Sequence, residues 1–167
     1  ITTPKAIQFS LPTGETLEMI FHQEPRVRTK YDKKEIELEV VSVEGLGNAN
    51  PKKAFVKDGR YTYQGIFESI DLKFTPVKST LTEELVLHEY KDIKSITYDL
   101  KTIGLVVAKR ENQIFFAPEE GGEWLFAYNA PYMYEEGNTN NKSYGIEYQL
   151  EKKTFGWKLK NLLTDEG

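Results

Sequence analysis

Cysteine is absent from the 167-residue chain. That removes disulfide frameworks, thiolate nucleophiles, zinc ribbons and iron–sulfur clusters at once. Histidine is nearly absent: His22 and His88 are the two, so a histidine-rich metal site is excluded as well. Positive charge is not in excess. The chain has 22 Lys and Arg against 26 Asp and Glu, a formal net charge of −4, the opposite of what a dedicated nucleic-acid binder carries. No apolar run approaches the ~20 residues of a membrane helix, so membrane insertion is not expected. G-x-S-x-G, P-loop, G-x-G-x-x-G and H-E-x-x-H patterns are all missing, which argues against an enzyme and against a cofactor. The chain opens at Ile1 with no charged-then-apolar leader, as a piece of a longer polypeptide would.

What the chain has in quantity is aromatic and alternating. Ten Tyr, nine Phe and two Trp do not belong to a disordered composition. In Glu35-Ile36-Glu37-Leu38-Glu39-Val40 every second residue is a carboxylate. An extended strand puts those three apolar side chains on one face and the acids on the other, whereas a helix would mix the two sets. The same period runs through Leu17, Met19, Phe21 and through Ile96, Tyr98, Leu100. It returns in Tyr144, Ile146, Tyr148, Leu150 and in Phe155, Trp157, Leu159. Pro12-Thr13-Gly14 and Asp58-Gly59 read as hairpin turns, and Gly45 to Pro51 as a loop. The expectation is an all-β protein: an antiparallel β-sandwich of about ten to thirteen short strands with little or no helix. Residues 1–167 read as a single domain, with a possible sub-boundary near residues 45–53.

Candidate sites are few. Arg26, Arg28, Lys30, Lys33 and Lys34 make a basic cluster that either docks an anionic polymer or is a solvated strand face. Glu119, Glu120 and Glu123 around Gly121-Gly122 are weak calcium candidates, because hard oxygen ligands on a loop suit that ion; the EF-hand register is lacking, and a plain acidic hairpin tip is the simpler reading. Glu83 and Glu84 are adjacent, so a strand points them to opposite faces and they cannot flank one glycosidic bond. They read as a strand-start pair with one solvated member. Trp124, Tyr128, Tyr132 and Tyr134 around Pro131 offer rings on which sugars stack; the alternative is ordinary core and edge packing. His22 and His88 both fall at outward strand positions or strand ends.

Four segments carry a family resemblance. They are Tyr63 to Phe74, with Ile70-Asp71-Leu72 at its centre; Leu81-Thr82-Glu83-Glu84-Leu85-Val86-Leu87; Ile96-Thr97-Tyr98-Asp99-Leu100 with Gly104-Leu105; and Ala130-Pro131-Tyr132-Met133-Tyr134. From Tyr61 to Leu159 the chain resembles the β-rich module of bacterial wall-associated, Rhs (YD-repeat) and DNRLRE-containing cell-surface proteins, and more distantly segments beside SBBP repeats. The resemblance implies a non-enzymatic structural or spacer module, extracellular or cell-wall attached. Its partners would be neighbouring domains of the same polypeptide, or a surface glycan or wall polymer, with no nucleic acid. The alternative is a carbohydrate-binding or adhesion module using the four aromatics, and a more remote one is a glycoside hydrolase.

Overall fold

A computed structural model of the chain describes residues 5–10, 16–22, 25–31, 33–44, 46–50, 54–77, 80–88, 93–119, 122–132 and 143–163. Fifteen strands lie among the described residues. In chain order they are β1 (Lys5–Ser10), β2 (Thr16–Phe21), β3 (Arg26–Tyr31), β4 (Lys34–Val43), β5 (Gly47–Asn48), β6 (Ala54–Lys57), β7 (Arg60–Phe67) and β8 (Ile70–Val77). There follow β9 (Thr80–Leu87), β10 (Ser95–Ile103), β11 (Val106–Arg110), β12 (Gln113–Ala117), β13 (Phe126–Tyr128), β14 (Ile146–Lys152) and β15 (Trp157–Leu163).

Every pairing is antiparallel, and the fold class is the expected one. The arrangement is richer than two layers. A large sheet runs β1-β2-β3-β4-β10-β15-β14, with β5 paired to β4. A second sheet runs β6-β7-β8-β9 and a third β11-β12-β13. Because β4 pairs with β10, the segments on either side of residues 45–53 share one sheet.

Period two explains the inner faces. Leu17, Met19 and Phe21 of β2, and Ile36, Leu38 and Val40 of β4, are all buried, while their neighbours alternate outward. Asp58 and Gly59 both take positive φ, 52° and 74°, the geometry of a two-residue hairpin between β6 and β7. The late strands begin later than the alternation suggests. Tyr144 lies before β14 and is exposed, and Phe155 sits in the β14–β15 turn, 83% exposed. Turn residues can keep the apolar rhythm by chance, so a pattern count overshoots a strand end by a residue or two.

One core serves all three sheets. Phe21 of the large sheet stacks on Tyr61 of the second at 4.0 Å, and meets Phe74 at 5.6 Å. Tyr31 meets Phe126 of the third sheet edge-on at 5.8 Å. Each buried ring of this kind contributes about 1.5–3 kcal/mol by leaving water. Polar bridges fix the register between sheets. The Tyr63 hydroxyl, with its side chain fully buried, donates to the His22 carbonyl at 2.6 Å. Asn112, in the β11–β12 turn, treats β14 as a strand partner. Its Nδ2 donates to the Ile146 carbonyl at 2.8 Å, and its Oδ1 accepts the Tyr148 N–H at 2.9 Å. The Asn112 amide thus mimics a peptide unit on the open edge of the large sheet. Replacing Asn112 with Ala is expected to destabilise the fold by about 1–3 kcal/mol, since two backbone groups lose their partner together. Urea unfolding of the variant beside the parent chain measures it.

Candidate functional site

The outer face of the large sheet is a ladder of opposed charges. Arg26 stands opposite Glu39, Arg28 opposite Glu37 and Lys30 opposite Glu35 across β3–β4. Farther along, Glu37 faces Lys101, and Asp99 faces Lys158, which faces Glu151. Arg28 Nη2 reaches Glu37 Oε2 at 3.1 Å, with Glu35 Oε1 3.7 Å from Arg28 Nε. Of the two readings of the basic cluster, the solvated strand face is the one the geometry supports. Its strand cations sit opposite the acids of the alternating run, and each exposed pair adds at most about 1 kcal/mol. The face offers no concentrated positive potential for a polyanion.

The second sheet holds a carboxylate–imidazole pair. In β8, Ile70, Leu72 and Phe74 fill the core, so parity turns Asp71 to the other face, where it is still largely covered. Its two oxygens are both used. Oδ1 accepts the Gly65 N–H at 2.8 Å and Oδ2 meets His88 Nε2 at 2.8 Å. Gly65 takes φ 69° in the irregular stretch of β7 between Tyr63 and Phe67, where the β7–β8 register shifts. Asp71 therefore caps the bulge donor that the ladder leaves over. His88 follows β9, its N–H bonded to the Ser69 carbonyl at 2.9 Å and its side chain 56% exposed. An imidazole hydrogen-bonded to a carboxylate on a largely exposed side chain is an arrangement that general acid–base chemistry uses.

A second titratable group lies in the core. Glu83 and Glu84 do point to opposite faces of β9, but Glu83 is directed inward, beside Phe74 in the register. The Tyr98 hydroxyl of β10 donates to its carboxyl, and Tyr128 of β13 and Tyr148 of β14 lie close enough to feel its charge. Burial pushes the Glu83 carboxyl up to about 7, against the hydrogen bond from Tyr98, which lowers it. Burial raises all three tyrosines as well, with the Glu83 charge adding to the effect, so they remain hydroxyl donors. The Tyr148 hydroxyl donates to the Asn129 carbonyl at 3.0 Å. Strand parity foretold that one glutamate would turn inward. No sequence signal foretold that strands from all three sheets would meet it.

The three described aromatics of the sugar-stacking alternative pack against different partners. Trp124 is exposed and leans on Phe115 at 4.9 Å. Tyr128 packs edge-on to Phe116 at 5.0 Å and belongs to the Glu83 group. Tyr132 pairs with Tyr144 at 5.8 Å, and Tyr134 lies outside the described residues. Of the acidic loop, Glu119 and Glu123 are exposed and Glu120 lies outside the described residues. Among the described residues no three His, Asp or Glu side chains gather as a metal site would need.

Comparison with known proteins adds a family. Residues 46–166 match the family described as Domain of unknown function (DUF7948). The chain belongs to that family. It is also 29% identical over 109 residues to the tRNA nuclease WapA of Bacillus subtilis (strain 168), covering 62% of the chain and 5% of that protein. Identity is 29% to the tRNA(Glu)-specific nuclease WapA of Bacillus subtilis subsp. natto and 28% to the tRNA3(Ser)-specific nuclease WapA of Bacillus spizizenii. Both of these matches again cover 62% of this chain and 5% of the relative. No solved structure matches the chain.

These relatives correct the expectation of a non-enzymatic spacer module without a nucleic-acid partner, because each is named as a nuclease acting on tRNA. The carbohydrate-binding and glycosidase alternatives are displaced with it. The physical reason is one of scale: an acidic balance describes this stretch of chain, and the stretch is 5% of each relative. Net charge of a part does not report the charge, or the chemistry, of the whole. Within the DUF7948 stretch, Asp71→Ala is expected to cost about 1–3 kcal/mol by orphaning the Gly65 N–H, whereas Asp71→Asn keeps one acceptor and costs less. Paired thermal or urea unfolding curves rank the two variants.

Proposed function

We propose that this chain is a domain of a larger polypeptide that cleaves tRNA. The observation that carries the reading is the similarity to three proteins named as tRNA nucleases, over 62% of this chain. The domain spans 5% of each of those proteins, so the activity is proposed for the polypeptide, with this chain as one contributor. An extracellular or wall-attached setting, and kinship with Rhs and YD-repeat surface proteins, belong to the same proposal. Both rest on the resemblance from Tyr61 to Leu159.

For this chain's share of the chemistry, His88 is taken as the acid–base group. Cleavage of RNA through its 2′-hydroxyl needs a base to take the hydroxyl proton and an acid to protonate the leaving oxygen. Asp71 Oδ2, 2.8 Å from His88 Nε2, supports this role: a proton held on Nε2 leaves Nδ1 as the acceptor. The exposed side chain supports access by a large substrate. Lys73, two residues along β8 on the same face as Asp71 and opposite Glu84 of β9, is the cation of that face for a phosphate.

The test is cleavage of bulk tRNA by the complete polypeptide, with and without His88→Ala. The parent protein is expected to cut tRNA. The variant is expected to lose about 10²–10⁴-fold in rate, with a stability loss on the order of 1 kcal/mol from the Asp71 Oδ2 left without its partner. Full activity in the variant would remove His88 from the reaction and leave the nuclease reading standing. Intact tRNA with the unaltered polypeptide would remove the nuclease reading itself.

A further inference from the structure

The Glu83 group is not used by that chemistry, and its geometry raises a question of its own. The carboxyl comes from β9, an edge strand of the second sheet. Around it stand Tyr98 from β10 and Tyr148 from β14, both in the large sheet, and Tyr128 from β13 in the third. All three sheets therefore meet at one acid. Glu83 Oε2 is sealed from solvent without a hydrogen-bond partner among the described residues. So is Asn161 Oδ1, on β15, whose residue faces both Ile96 of β10 and Tyr148 of β14 in register. Both orphaned atoms are acceptors, and a buried acceptor without a donor is costly.

What faces Glu83 makes ionisation harder still. β8 presents Phe74 opposite it, β10 Tyr98, β13 Tyr128, β14 Tyr148, and β15 carries Leu159 and Asn161 on the inner face. None of these residues is a cation. A buried carboxylate with one hydrogen bond and no counter-charge is a poor fit to this site; a carboxylic acid, which brings its own donor, fits it.

We propose that the Glu83 carboxyl is a proton-binding site that closes the junction of the three sheets, and that loss of its proton loosens the β8–β9 edge from the other two. The direction follows from linkage. The acid holds its proton more tightly when buried than when the junction is open, so closure is favoured at low pH and weakens as pH rises. The window runs from the ordinary value of 4.5 up to about 7. Above it the closed form carries the full penalty of a buried anion. This device is independent of the tRNA reading, and it can be tested on the folded chain without RNA.

The experiment is a carbon-13 titration of the glutamate side-chain carboxyls by NMR, with amide hydrogen exchange followed over the same range. The Glu83 carboxyl is expected to titrate near 7 instead of near 4.5. Exchange at β8 and β9 amides, corrected for intrinsic base catalysis, is expected to rise on the order of 100-fold between about pH 5 and about pH 9. Glu83→Gln, neutral at every pH, is expected to flatten that rise. Where that variant does not fold, the titration of the unaltered chain still decides. A midpoint near 4.5 would overturn the proposal. So would a midpoint near 7 with corrected exchange that does not change, because the proton would then be bound without governing closure.

Discussion

No sheet of this protein can bury its inner face alone, and the place where the three depend on one another most is a single carboxyl. Glu83 leaves an edge strand, crosses into the core and receives the Tyr98 hydroxyl from the sheet opposite. A charge there would cost several kcal/mol by the usual price of removing an ion from water. The hydrophobic contacts around it, Phe21 on Tyr61 and Tyr31 on Phe126, give the layers their attraction. They are non-directional, and greasy faces slide. The polar bridges from Tyr63, Asn112 and Glu83 are what hold the sheets to one register.

The outside of the molecule follows a different rule. Acids that alternate along β4 stand opposite the bases of β3, and Glu37 also faces Lys101 of β10, so that stretch of the face is charged with both signs interleaved. That arrangement keeps the sheet soluble and blunts long-range attraction for a polyanion. The carboxylate–imidazole pair of Asp71 and His88 lies apart from that ladder, on the second sheet. There the same carboxylate that caps a β-bulge also orients an imidazole. One residue serving both fold and site is economical, and it means that the site's geometry is inherited from an irregularity in β7.

The strands were legible in the sequence because their period is two and their apolar residues are large. The run from Glu35 to Val40 announces its faces without any partner in view. Asp58-Gly59 announced a hairpin because few residues other than these tolerate its backbone. The third sheet was harder to see. Its β13 spans three residues, too short for a periodic pattern to register, as is the two-residue β5 of the large sheet. The candidate sites were legible only in part. Parity put Asp71 off the core face and split Glu83 from Glu84. Pairing His88 with Asp71, or Glu83 with Tyr98, needed the hairpin between β8 and β9 and the crossover into the large sheet, which are matters of topology. Function was misread for another reason: composition reports the stretch in hand, and the relatives are far longer than that stretch.

The central claim is that the Glu83–Tyr98 contact ties the sheets together as a unit. A double-mutant cycle measures it most directly, with Glu83→Ala, Tyr98→Phe and the pair compared by urea unfolding near pH 6. The account predicts a coupling energy above about 1 kcal/mol, because either change alone breaks the same bridge. Additive losses, within about 0.3–0.5 kcal/mol, would mean that the two groups stabilise the fold separately, and would contradict it.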